Sequence, residues 1–207
     1  MASQPSLNRL FVGTFLSFDQ QQRLAGLKDV HDRLSNTWDM KLRWVWAAKL
    51  HVTWLFIGSV AESGMLVVKE RLAKVMAEYS CLQFNYDQSE FWPSPTKARQ
   101  LVLTPSVIPS SASALAKDIR RELGEFVAQN DHHGFRPHIT VLRLERRANS
   151  NRGRQTNQPL ELPSWFDLKA CLPIAHNVES VSLIESHLGS QNDGYQTLEC
   201  FLLRRLC

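Results

Sequence analysis

The sequence predicts an α+β fold with a weak internal duplication, and three observations carry that prediction. Short β-rich stretches alternate with stretches of helical period. The order strand, helix, strand pair recurs in the second half. A tripeptide of the form His-x-Thr occurs twice, each time inside a predicted strand.

The first strand is expected over 10–16, followed by a helix with Asp19 as N-cap and apolar residues at Leu24, Leu27, Val30 and Leu34. Residues 41–47 and 51–57 read as strands, with Lys49-Leu50 between them and Gly58 closing the second. Leu66, Leu72, Val75 and Met76 mark a helix over 65–79. Strands at 82–86 and 100–104 flank a loop, Phe91-Trp92-Pro93-Ser94-Pro95, whose two prolines disfavour regular structure. After the break at 105–109, Ser110 or Ser113 can cap a helix through Leu115, Ile119, Leu123 and Val127. A strand over 138–142 follows, then an arginine-rich, exposed and flexible loop over 146–158. Strands at 178–186 and 195–203, joined by a turn at 189–194, complete the chain.

Composition narrows the class further. The chain has 207 residues, 43% hydrophobic and 21% charged, which fits one compact domain or two small lobes sharing a core. No apolar run approaches the ~20 residues that span a bilayer, so no membrane role is expected. The N-terminal stretch lacks the features of a signal peptide. The four cysteines, Cys81, Cys171, Cys200 and Cys207, form no C-x-x-C pair, which argues for reduced thiols, a cytoplasmic protein and no zinc finger. A net charge of +4 permits a polyanionic partner without specifying one.

The chemistry concentrates at His51-Val52-Thr53 and His138-Ile139-Thr140. Random placement of seven His and eight Thr gives about 0.27 such tripeptides, and two or more arise about 3% of the time. Residues two apart share a face of a strand, so His51 and Thr53 point one way while Val52, Trp54 and Phe56 point into the interior. His138 and Thr140 behave likewise against Ile139 and Val141. Each pair is roughly 7 Å apart at the backbone, close enough for both side chains to reach one tetrahedral group such as a phosphate. An imidazole with an ordinary pKa of about 6.5 exchanges a proton at neutral pH, and a threonine hydroxyl donates to a nonbridging oxygen. Two facing pairs would supply an acid, a base and two oxyanion donors.

With its flanking residues, the pattern resembles the 2H phosphoesterase superfamily, and within it the bacterial RNA 2',3'-cyclic phosphodiesterase family historically called 2'-5' RNA ligase. The resemblance rests on Arg9-Leu10-Phe11-Val12, Arg43-Trp44-Val45, Leu50 before the first motif, and His51-Val52-Thr53-Trp54-Leu55-Phe56-Ile57-Gly58. It continues through Trp92-Pro93-Ser94, Phe135-Arg136-Pro137-His138-Ile139-Thr140-Val141-Leu142-Arg143, Ser186-His187-Leu188 and Gly194-Tyr195. It implies one bilobal domain over 1–207, with two pseudo-symmetric antiparallel sheets around a central cleft and helices outside. It also implies metal-independent hydrolysis of RNA 2',3'-cyclic phosphate ends to 2'-phosphomonoesters, without a cofactor, by a monomer. His51 would be the proton donor to the leaving 3'-oxygen and His138 the acceptor that activates water. Thr53 and Thr140 would bind phosphoryl oxygens. The family has also been associated with joining RNA ends through a 2'-5' linkage at the same site.

Other residues admit plainer readings. Arg143 stands at an odd offset from His138 and lies on the opposite face of a regular strand; a bulge would turn it toward the phosphate, and the resemblance implies that substrate role. His31, His176 and His187 read as structural, hydrogen-bonded histidines. A metal site at His132-His133 with Asp131 and His138 is set aside for want of further ligands. Cys81 and Cys171 read as buried small apolar residues. Arg146, Arg147, Arg152 and Arg154 either form a solvated charge run or track an RNA backbone, and Phe91 and Trp92 either stack on a base or pack between lobes. The competing functions are another 2H activity, on 2',5'-oligonucleotides or small cyclic nucleotides, and a nonenzymatic RNA-binding module.

Overall fold

A computed structural model describes residues 7–127, 134–146, 159–187 and 194–205. In chain order the elements are β1 (Leu7–Phe15), α1 (Phe18–Ala25), α2 (His31–Trp38), β2 (Met40–Trp44), β3 (His51–Ala61), α3 (Met65–Met76), β4 (Leu82–Trp92), β5 (Gln100–Pro105), α4 (Ser110–Leu123), β6 (Ile139–Arg146), β7 (Ile174–Val178), β8 (Ser180–His187) and β9 (Gly194–Leu202). The fold is mixed helix and antiparallel sheet. Among the described residues, no helix is long and apolar enough to cross a membrane. The loop expected over 146–158 lies outside the described residues apart from Arg146, the last residue of β6, and so do His132, His133 and Cys207.

The strands follow the order β7-β4-β5-β6-β3-β1-β8-β9, with β2 also paired to β6, and every strand pairing is antiparallel. One junction in this path is much thinner than the rest. β3 and β6 meet through a single residue pair, Val52 with Ile139. The sheet is thus two antiparallel halves, β3-β1-β8-β9 and β7-β4-β5-β6 with β2, joined at the two His-x-Thr motifs. The helices tie the halves together. β1 lies in the first half, yet α2 packs on β2 of the second, and Gln20 of α1 hydrogen-bonds the Ala175 carbonyl and His176 of β7. Conversely, α4 follows β5 but packs on α3 and on β3.

Both motif strands carry a bulge directly after their threonine. In β3 the partner register passes from Gly13↔Thr53 to Val12↔Leu55, leaving Trp54 as the extra residue. In β6 it passes from Val102↔Thr140 to Leu101↔Leu142, leaving Val141 extra. An extra residue reverses the facing of everything after it. Phe56, expected inside, is therefore 58% exposed while Leu55 and Ile57 are buried. The Trp54 indole is well anchored: its Nε1–H donates to Thr14 Oγ1 at 2.9 Å, and the ring stacks on Phe135 at 4.9 Å between centroids. Phe135 precedes the second motif, so Trp54 of the first motif packs directly against the approach to the second.

Several local expectations are corrected. The N-cap of α1 is Ser17 rather than Asp19, because Ser17 and Gln20 form a reciprocal capping box and leave Asp19 in the first turn. The expected long helix is broken by a 3₁₀ turn, Gly26–Val30, between α1 and α2. Pro109 caps α4, with no side-chain hydrogen bond from Ser110 or Ser113. β4 runs on through Phe91 and Trp92, and β3 continues past Gly58, whose φ of 98° only glycine adopts without strain. The unforeseen β7 shows an alternating pattern of Ile174, His176 and Val178 inside, masked in the sequence by a histidine at the central inward position. Cys81 and Cys171 are half-buried free thiols rather than core residues.

The capping box predicts that Ser17→Ala lowers the unfolding free energy by about 1 kcal/mol, measured by urea denaturation with an unchanged slope.

Candidate active site

The register at the junction determines the arrangement of the motifs. With Val52 opposite Ile139 in an antiparallel pair, one step either way sets His51 across from Thr140 and Thr53 across from His138. Val52 and Ile139 are fully buried, so the four polar side chains emerge together on the other face, half-buried around one cleft. His51 and His138 are diagonal neighbours, about 7–8 Å apart at the backbone of a regular ladder. The two motifs are related by an approximate two-fold axis through the Val52–Ile139 pair.

The imidazoles are held identically. His51 Nδ1 lies 2.7 Å from the Lys49 carbonyl, and His138 Nδ1 lies 2.8 Å from the Arg136 carbonyl, two residues upstream in each case. A carbonyl only accepts, so Nδ1 must carry the proton in both rings. The neutral forms therefore keep the Nε2 lone pair free, and protonation occurs at Nε2.

The surroundings of the two rings differ. His51 sits in an aromatic collar, with centroids at 5.1 Å from Phe11, 6.0 Å from Phe15 and 5.2 Å from Tyr195. Burial is the main cause that lowers its pKa to about 4; the Lys49 carbonyl opposes this, while the positive potentials of His138 and Arg143 add to it. His138 packs on Trp92 at 4.3 Å, and the Arg136 guanidinium lies 4.3 Å from the centre of the Trp92 ring. Its pKa is also lowered, chiefly by burial and then by Arg136, but the Arg136 carbonyl and the Glu90 carboxylate pull it back.

Glu90 was not foreseen from the sequence. It accepts from Trp92 Nε1 at 2.7 Å and from Thr104 Oγ1 at 2.9 Å, and pairs with Arg136 at 3.5 Å, thereby fixing both neighbours of His138. Gln100, also unforeseen, accepts from the Thr140 hydroxyl at 3.1 Å. It stands opposite Arg143 in the β5–β6 ladder. Arg143 thus shares the face of Thr140, because the bulge at Val141 reverses the regular alternation. A pocket of about 620 Å³ opens beside His138, lined by Thr53, Phe56, Trp92, Phe135 and Arg136 and by Lys117 of α4. No sequence motif marks Glu90 or Gln100; the alternation of β4 and the polar start of β5 are the only local signals.

The other described histidines are engaged elsewhere. His31 Nδ1 accepts from Trp44 Nε1–H, His176 Nδ1 meets Gln20 Oε1, and His187 contacts Gln196 and Glu185. Among the described residues, no three His, Cys, Asp or Glu side chains are grouped to hold a metal ion.

The cleft thus presents two tethered imidazoles and two threonines from symmetry-related strands. No protein-family model matches the chain. It is 24% identical over 140 residues to a curated protein of Aquifex aeolicus (strain VF5) named RNA 2',3'-cyclic phosphodiesterase, a stretch covering 66% of this chain and 71% of that one. E. coli LigT complexed with 3'-AMP superposes with a TM-score of 0.72 at 19% identity, covering 96% of this chain and 99% of that one. A protein of Thermus thermophilus gives 0.72 at 20% identity, covering 95% and 98%. The fold of this chain is that of the LigT structures.

The electrostatics of the two rings lead to two expected outcomes. In the free protein both imidazoles are neutral at pH 7. A phosphodiester, singly negative throughout, favours the imidazolium and raises the pKa in the complex. Between the free and bound pKa values binding takes up a proton, so affinity strengthens as pH falls below the pKa values of the complex and levels off near His51's free value of about 4. Calorimetry of a nonhydrolysable diester in buffers of different ionisation enthalpy reads this uptake, and a pH-independent affinity would contradict it. Glu90→Gln removes a charge that favours protonated His138, so the His138 NMR titration moves to lower pH. An unmoved titration would show that the carboxylate does not act on the ring.

Proposed function

We propose that this chain hydrolyses 2',3'-cyclic phosphate ends of RNA to 2'-phosphomonoesters, with His51 and His138 as the proton-transfer pair. The observation that carries the reading is the matched tethering of both Nδ1 atoms to carbonyls two residues upstream, which leaves two Nε2 atoms free for proton transfer at one cleft. The curated relative's name and the nucleotide bound to LigT support a substrate of this kind. A pocket of about 620 Å³ has room for a nucleoside.

In the proposed reaction His138 Nε2 takes a proton from water as its oxygen attacks phosphorus. The bond from phosphorus to the 3'-oxygen breaks on the opposite side, and His51 Nε2–H protonates that oxygen. The Thr53 and Thr140 hydroxyls donate to the nonbridging oxygens, Thr140 turning from Gln100 to do so. Acid, base and donors all come from side chains, so the reaction is proposed to be metal-independent. A ribose 5'-hydroxyl in place of water leads by the same two transfers to a 2'-5' linkage.

One observation favours the opposite division of labour. The charge of Glu90 supports a proton on His138, whereas Arg143 and His138 both oppose one on His51. On that second reading His138 is the acid and His51 the base.

The test is turnover of a 2',3'-cyclic phosphate substrate with chelator present. His51→Ala and His138→Ala should each lower turnover by on the order of 10² to 10⁴, with the fold intact by circular dichroism. A substrate with an activated leaving group should partly rescue His51→Ala and not His138→Ala. The opposite rescue reverses the roles, and full activity in either variant, or loss of wild-type activity with chelator, defeats the proposal.

A further inference from the structure

We infer that Arg43 and Arg143 together form a second anion subsite, which takes the phosphate on the 5' side of the terminal nucleoside and so selects RNA ends over cyclic mononucleotides. This rests on the proposed substrate. Its basis is a cross-strand pair of like charges beside the motif: in the β2–β6 ladder Arg43 stands directly opposite Arg143, and both are exposed. Like charges directly opposite one another destabilise a sheet. The next exposed pair outward in the same ladder is matched, with Lys41 opposite Glu145 and their side chains 3.5 Å apart. Among the described residues, no carboxylate is in ion-pair range of Arg43 or Arg143. Two guanidinium forks side by side are suited to one phosphate.

The face and the distance agree with that occupant. Gln100 bonds to Thr140 with its side chain and stands opposite Arg143, so Thr140, Gln100, Arg143 and Arg43 line one side of the sheet. Leu42 and Leu144, next to the arginines, are buried on the other side. From Thr140 to Arg143 a bulged strand advances roughly 7–10 Å, on the order of one nucleotide of extended single strand. The 2',3'-cyclic group ends the RNA, so only one neighbouring phosphate exists, and it is attached to the 5'-oxygen of the same nucleoside.

The experiment compares four substrates: adenosine 2',3'-cyclic phosphate, its 5'-phosphorylated form, the dinucleotide ApA bearing the cyclic group, and that dinucleotide with a neutral methylphosphonate linkage. The wild-type chain should favour the 5'-phosphorylated form and the charged dinucleotide by about tenfold in kcat/KM. The neutral linkage should lose that preference, and Arg43→Ala and Arg43→Gln should reduce it to near unity, Arg43→Gln preserving most of the side-chain stem. Affinities for the 2'-phosphate products of the same set read the subsite without turnover. Dinucleotide binding should fall less steeply with salt in Arg43→Ala, by about 0.7 in the log–log slope. A wild-type preference that is absent, that survives neutralisation of the linkage, or that survives both Arg43 variants overturns the inference. Hydrolysis of none of the substrates, with the product preference intact and dependent on Arg43, would defeat the proposed reaction and leave the subsite standing.

Discussion

The site depends on one backbone pairing, Val52 with Ile139. Among the described residues it is the one ladder pair between β3 and β6, and its register determines which side chains share the cleft. A slip of one residue would turn one motif's imidazole and hydroxyl to the core face and put Val52 or Ile139 in their place. What opposes that slip is apolar burial. Val52 and Ile139 are wholly inaccessible, and the Trp54–Phe135 stack fastens the two motifs together on the core side. Burying a polar imidazole in place of either aliphatic chain would cost several kcal/mol without a hydrogen-bond partner.

The paired bulges extend the same symmetry and then depart from it. Each places an extra residue after the threonine, so the third residue beyond that threonine returns to the cleft face. In β3 that residue is Phe56, and in β6 it is Arg143. Equivalent backbone positions thus give one motif an apolar neighbour and the other a cation. The environments of the imidazoles diverge in parallel: aromatic rings surround His51, whereas Trp92, Arg136 and Glu90 surround His138. A duplicated scaffold thereby places its two histidines in unequal electrostatic surroundings.

The helices hold this geometry from behind. α2 packs on β2 of the second half and α4 on β3 of the first, so each half is braced by a helix that follows a strand of the other. With a single ladder pair between β3 and β6, side-chain packing through the shared apolar core carries much of that junction.

The sequence by itself determined the α+β class, most of the strands and helices, and the two His-x-Thr pairs as the candidate site, because these rest on residue type and short periodicity. His51 with Thr53, and His138 with Thr140, share a face through the period of two alone. Arg143 was left open, and Phe56 was assigned to the wrong side, since a bulge changes the period and leaves no local signature. β7 went unseen because a buried histidine, His176, occupied its central inward position. Ser17, rather than Asp19, became the cap because the choice depends on which side chain reaches a free backbone amide. Glu90 and Gln100 entered the site only through strand pairing across β4, β5 and β6. The tertiary structure alone decided the register at Val52–Ile139, the charges that distinguish the two imidazoles and the opposition of Arg43 to Arg143. These are contacts between residues tens of positions apart, and a pattern confined to neighbouring residues does not encode them.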